Sequence, residues 1–142
     1  MRKVYLDAES VDFMIVPNSD LEFVFIQTEG KCKVNIKLKP ITDSKFKVKI
    51  YIYAEGNSEV DCVCTLDVPK EVSGVETDIQ IRSWPFDTSK IKARPEMFIK
   101  NSNIIATHGN ALGTLNTNDK YYLSTRGVTN YKELVKGSLL NA

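Results

Sequence analysis

The sequence holds one histidine and three cysteines in 142 residues, and that scarcity removes most site chemistries before any motif is sought. A single imidazole cannot form the paired-histidine part of a zinc signature, and neither a nucleophile elbow nor a phosphate loop is present. Cys32, Cys62 and Cys64 are odd in number, which does not fit a disulfide framework and makes a reducing compartment the simpler reading. Long apolar runs are lacking too: the stretch from Phe23 to Ile26 stops far short of the roughly 20 residues that span a bilayer. Asp7, Glu9 and Asp12 follow the positive start at Arg2 and Lys3, so nothing there reads as a secretory signal. A cytoplasmic protein is expected. An excess of one charge is also missing, since 19 basic residues face 18 acidic ones. A formal charge of +1 points to no nucleic-acid or membrane partner.

What the sequence does contain is alternation. Phe46, Val48, Ile50, Ile52 and Ala54 fall on one side of a strand, and Lys47, Lys49, Tyr51 and Tyr53 on the other. Cys32, Val34, Ile36 and Leu38 alternate with lysines and Asn35, and Val60, Cys62, Cys64 and Leu66 form a third apolar face. Further strands are predicted around Lys3 to Leu6, Phe13 to Val16, Leu21 to Gln27, Val75 to Ile81, Ile91 to Ile99 and Asn103 to Thr107. Turn signals separate them, among them Pro17 to Asp20, Glu29-Gly30, Pro40, Glu55 to Ser58, Pro69 and Trp84-Pro85. The fold class is therefore all-β, and the pattern alone admits either a β-sandwich or a stack of coils.

The period changes near Thr117, which divides a single domain into a β body over 1–116 and a helical tail over 117–142. Thr117 or Asn118 caps a first short helix through Leu123, ended by Gly127. Asn130 followed by Glu133 resembles a capping box for a second helix, with Tyr131, Leu134, Val135, Ser138 and Leu139 on one face.

The residues that could carry chemistry are few. The three cysteines share faces with Val34, Val60 and Leu66 and read as small buried hydrophobes. Seven of the nineteen basic residues lie from Lys31 to Lys49, a stripe that reads as a solvated face guarding strand edges. His108 follows Ile104 and Ala106 at strand spacing and precedes Gly109, where the strand is expected to end. An imidazole there can ligate iron or transfer protons, but spacing alone favours a hydrogen-bonded structural residue. Arg94, Glu96 and Arg126 are expected to be surface charges without chemistry.

Three elements stand in order: Lys92-Ala93-Arg94-Pro95-Glu96-Met97-Phe98-Ile99, then Ala106-Thr107-His108-Gly109, then Tyr122-Leu123-Ser124-Thr125-Arg126-Gly127-Val128. Together they resemble the C-terminal part of the SufB/SufD family of iron-sulfur cluster assembly proteins. The resemblance covers roughly residues 75 to 142 and implies a right-handed parallel β-helix core ending in short helices. It implies a non-catalytic SufD-like subunit, because no cysteine stands just before Pro95 where a SufB-like chain carries one. Implied partners are a SufC-type ABC ATPase at the helical end, near Tyr122, Leu123, Arg126, Gly127, Tyr131 and Leu134, and another SufB/SufD-type chain. His108 matches the family's Ser/Thr-His-Gly histidine, which implies a ligand to a transient iron-sulfur cluster at a shared interface, with no cofactor held stably by the isolated chain. Typical members are longer, so an open solenoid end is expected here, closed by a homodimer or a permanent partner. The readings from other classes are a β-helix interaction module without the cluster role and a hydrolase or carbohydrate-binding solenoid. No paired-carboxylate pattern supports the last.

Overall fold

The computed structural model describes residues 1–112 and 130–141. Nine strands run in chain order: β1 (Arg2–Leu6), β2 (Ser10–Ile15), β3 (Leu21–Gln27), β4 (Lys31–Leu38), β5 (Lys45–Ala54), β6 (Glu59–Val68), β7 (Val75–Pro85), β8 (Lys90–Ile99) and β9 (Ile104–Leu112). One helix, α1 (Tyr131–Asn141), follows. Successive strands alternate between two sheets. The odd strands form a five-stranded sheet in the order β1-β3-β5-β7-β9, and the even ones a four-stranded sheet in the order β2-β4-β6-β8. Every pairing is parallel, as in Leu21 beside Val48, Val48 beside Ile79 and Ile79 beside His108. This is a β-solenoid, in which each coil lays one strand on each sheet.

The side chains explain why the coils stack. A parallel ladder in register puts like positions above one another, so each inward residue meets an inward residue of the next coil. Phe23, Ile50 and Ile81 make one such column, and Ile36 and Cys64 lie in another. Phe23, Val34, Val48, Ile50, Ile79 and Leu66 are completely or almost completely buried. Each removes an apolar surface worth about 1.5–3 kcal/mol from water. Pro95 interrupts β8, which pairs with β6 on one side and with no other strand among the described residues. Edge position is what a strand proline requires, since it has no amide to donate.

The corners repeat as well. Ser58 Oγ donates to the carbonyls of Glu55 and Gln27, and one coil later Ser89 Oγ donates to those of Phe86 and Ala54. The two corners stack through the Asp87 carboxylate, which accepts the Gly56 amide at 2.9 Å, with Asp87 itself in the left-handed region at φ 57°. That conformation is tolerable for aspartate because its short side chain can bond locally.

Several expectations shift. The Trp84-Pro85 turn is not a turn: β7 runs through both residues, and the bend falls at Phe86 to Ser89. Likewise β9 continues through Gly109 to Leu112. Gly109 breaks nothing, because the ladder to β7 supplies its partner Gln80. The lysine stripe is also not one surface. Lys31, Lys33 and Lys37 leave the four-stranded sheet and Lys45, Lys47 and Lys49 the five-stranded one, so they face opposite sides. Lys31 pairs with Glu59 and Lys45 with Glu76, each at 3.6 Å and well exposed. The first predicted tail helix lies outside the described residues.

The second tail helix forms and packs on the outer face of the five-stranded sheet. Asn130 Oδ1 accepts the Glu133 amide at 3.4 Å, and the Asn130 carbonyl accepts the amide of Leu134, as an N-cap does. Val135 and Leu139 bury themselves against Val24, Ile26 and Tyr53. This explains why β3, read as Leu-Glu-Phe-Val-Phe-Ile-Gln, is buried on both faces rather than on one.

Thr77 supplies a test. Its hydroxyl is buried with no hydrogen-bond partner among the described residues, in an inward column between Phe46 and Ala106. Thr77→Val should raise stability by about 1 kcal/mol in urea unfolding. Ser58→Ala, which removes the hydroxyl from two corner carbonyls that each keep one backbone amide, should lower it by a similar ~1 kcal/mol.

Candidate functional site

The last coil of the described solenoid is its most accessible end. Among the described residues, strands β8 and β9 each have a neighbour strand on one side only, and no described coil follows the inward column of β9. His108 stands in that column beside Ile79, with Ala106 and Asn110 on either side along the strand, and it is exposed. Asn110 donates its side-chain amide to the Ala93 carbonyl of β8, tying the two sheets together beside the histidine. Leu112 in the same column and Ile105 on the outer face are both 64% exposed. The end thus combines an imidazole, strand edges unpaired among the described residues, and apolar side chains.

Behind it, on the outer face, lies a polar set that the sequence does not single out. Asp78 accepts bonds from Thr107 Oγ1 at 2.6 Å and Gln80 Nε2 at 2.9 Å. Those bonds, the threonine's first, hold its carboxyl below the usual carboxylate range, with Lys47 adding a smaller attraction. Thr107 and His108 are consecutive and so point to opposite faces of the sheet. The Asp78 cluster therefore does not orient the imidazole. A Cβ at Gly109 would stand 2.2 Å from Gln80 Oε1, the end of a flexible side chain that would have to turn away from Asp78.

The cysteines stay inside. All three are buried, facing the core from β4 and β6. Burial raises the Cys32 thiol and pushes Cys64 up to about 12. Cys62 is raised by burial first, and then by the charges of Cys64, Asp61 and Cys32. A thiol that keeps its proton is neither nucleophile nor metal ligand. Among the described residues no group of three or more histidine, cysteine, aspartate or glutamate side chains is placed to hold a metal ion. Any metal bound at His108 would draw its remaining ligands from another molecule or from elsewhere in the chain.

The second proposed contact region is on a different surface. Tyr131 and Leu134 lie on α1, across the outer face of the five-stranded sheet, whereas His108 belongs to the inward column. Leu134 is 42% exposed, and Leu140 is similarly open. Ser138 lies beside a groove of about 590 Å³ lined by Glu22, Tyr51, Arg82, Trp84 and Leu134. Tyr122, Leu123, Arg126 and Gly127 lie outside the described residues. Arg94 and Glu96 form the surface pair expected of them, at 3.2 Å.

Charge fixes α1 at both ends, which no local sequence signal announces. Lys132 Nζ lies 3.1 Å from Asp87 and Lys136 Nζ 3.2 Å from Glu55, whose other oxygen accepts the Tyr53 hydroxyl at 3.1 Å. Burial, then that bond, raises the Tyr53 phenol. At the far end the Arg2 guanidinium donates to the carbonyls of Leu139 and Leu140 and pairs with Glu22 at 3.1 Å. No helix among the described residues is long and apolar enough to cross a membrane. No protein-family profile matches the chain, and no curated protein matches it.

The buried thiols predict an alkaline weakness. Unfolded thiols ionise near ~8.5, whereas Cys64 in the fold holds its proton to about 12. Between those values the folded state binds more protons. The stability contribution is therefore whole below the unfolded value and is lost as pH rises toward the folded one. Unfolding free energy should fall from about pH 8.5 to 11, with a shallower slope in Cys64→Val. An equal slope in both proteins would contradict the assignment.

Proposed function

We propose that this chain is a SufD-like, non-catalytic subunit of iron-sulfur cluster assembly. Its solenoid end pairs with another SufB/SufD-type chain or with a second copy, and its tail engages a SufC-type ABC ATPase. The observation that carries the reading is His108, exposed in the inward column of the last described coil, beside strand edges that no other strand pairs with among the described residues. Family resemblance gives that histidine a cluster-ligand role, and a parallel solenoid with a C-terminal helix is the architecture the role requires.

In this reading the cluster is cargo. The chain contributes one imidazole from its open edge, and the partner contributes the thiolates, which the buried cysteines here do not supply. The edge itself binds by extending both sheets into the partner, with backbone amides and carbonyls giving affinity and side chains such as Leu112 and Ile105 giving fit. Leu134 and Leu140, exposed on α1, are the apolar contacts available to the ATPase, beside Tyr131 on the same helix.

A second reading keeps the interaction surfaces without the cluster. It is favoured by the lack of any local ligand set around His108 among the described residues. Anaerobic reconstitution with iron and sulfide, in the presence of the partner chain, separates the two. The expected result is a cluster absorbance band that falls at least severalfold in His108→Ala while the complex still forms. An unchanged band in that variant means that His108 is not a ligand, and a complex that forms with no band at all leaves the interaction module as the function.

A further inference from the structure

We infer that α1 is a latch clamped on the five-stranded sheet by ion pairs as well as by two buried apolar side chains, and that it opens as a unit while the solenoid stays folded. The inference stands whether or not the chain serves cluster assembly.

The helix is weak by itself. Its 11 residues are fewer than the roughly 12–15 that are marginal for an isolated helix in water. Gly137 weakens it further, since glycine inside a helix costs backbone entropy. Its apolar anchorage is two side chains, Val135 and Leu139. By contrast, every inner strand of the solenoid is held by a parallel ladder on each side.

What remains is ionic and sits at the two ends. Lys132 and Lys136 reach Asp87 and Glu55 on the corners that follow β7 and β5. Arg2 of β1 covers the Leu139 and Leu140 carbonyls, which have no intrahelical amide to accept. The guanidinium is in turn steadied by Glu22 of β3. Salt screens the half-exposed Lys132–Asp87 pair most and the more buried Lys136–Glu55 and Arg2–Glu22 pairs less, whereas it leaves the core columns untouched. One condition therefore acts on the helix and not on the body.

Opening has a defined consequence. Val24, Ile26 and Tyr53, each no more than 2% exposed with the helix in place, become an apolar strip on the outer face of the sheet. Glu55, released from Lys136, flanks that strip with negative charge, while the Arg2–Glu22 pair stays on the sheet. Trp84, the chain's one tryptophan, lines the groove beside the helix and so reports the change.

Hydrogen exchange of the full chain, read by mass spectrometry at low and high NaCl, tests the latch. Raising salt to about 1 M, where the screening length is ~3 Å, should speed exchange in α1 about tenfold and leave β5, β6 and β7 unchanged. Trp84 emission should shift to the red in parallel. Glu55→Lys and Lys136→Glu should each speed α1 exchange at low salt, and the two together should restore protection. If α1 exchanges at the same rate at all salt concentrations and in both single variants, or opens only together with β5 to β7, the latch does not exist.

Discussion

Everything in this protein hangs on the in-register parallel ladder. Because Leu21, Val48, Ile79 and His108 stand side by side on successive strands, one alternating pattern serves as both wall and core. In the inner coils an inward side chain meets an inward side chain of the coil before and of the coil after, as Ile50 meets Phe23 and Ile81. Backbone amides and carbonyls are satisfied by the same neighbours. The arrangement has no internal reason to stop, however. At the last described coil the columns simply run out, and His108, Asn110 and Leu112 become exposed through geometry rather than through any change in the pattern.

That property links fold to proposed function. A finished solenoid offers its ends as surfaces on which another β-structure can continue, and strand edges are liabilities unless covered. An imidazole placed in the last inward column is therefore set where two chains would meet. The cysteines, one or more coils deeper, are removed from that surface by the same logic. Their faces became the core, and burial keeps their protons in place. A cluster role for this chain accordingly rests on one side chain and on what a partner brings.

Much of this was legible in the sequence because a strand with one wet face writes its own period. The runs Cys32 to Leu38 and Phe46 to Ala54 are read correctly from alternation, and α1 from Asn130 and Glu133. Pairing was not legible. Arg2 meets Glu22, Leu21 meets Val48, and Val48 meets Ile79, so coil lengths differ and no fixed repeat appears in the chain. Trp84-Pro85 looked like a turn because proline usually breaks strands, yet Pro85 sits at the very end of β7. Tyr53 looked outward and wet; it is outward and dry, since a helix from the far end of the chain covers it. The ion pairs from Arg2, Lys132 and Lys136 join residues too distant for any local rule. For His108, the sequence fixes the face but not the exposure, which depends on where the stack ends.

Co-purification tests the functional account most directly. The full chain, expressed with a SufC-type ABC ATPase, should retain the ATPase through purification at moderate salt, and Leu134→Asp, on an exposed position of α1, should lose it without unfolding. A chain that folds as described and retains no ATPase would contradict the assembly role.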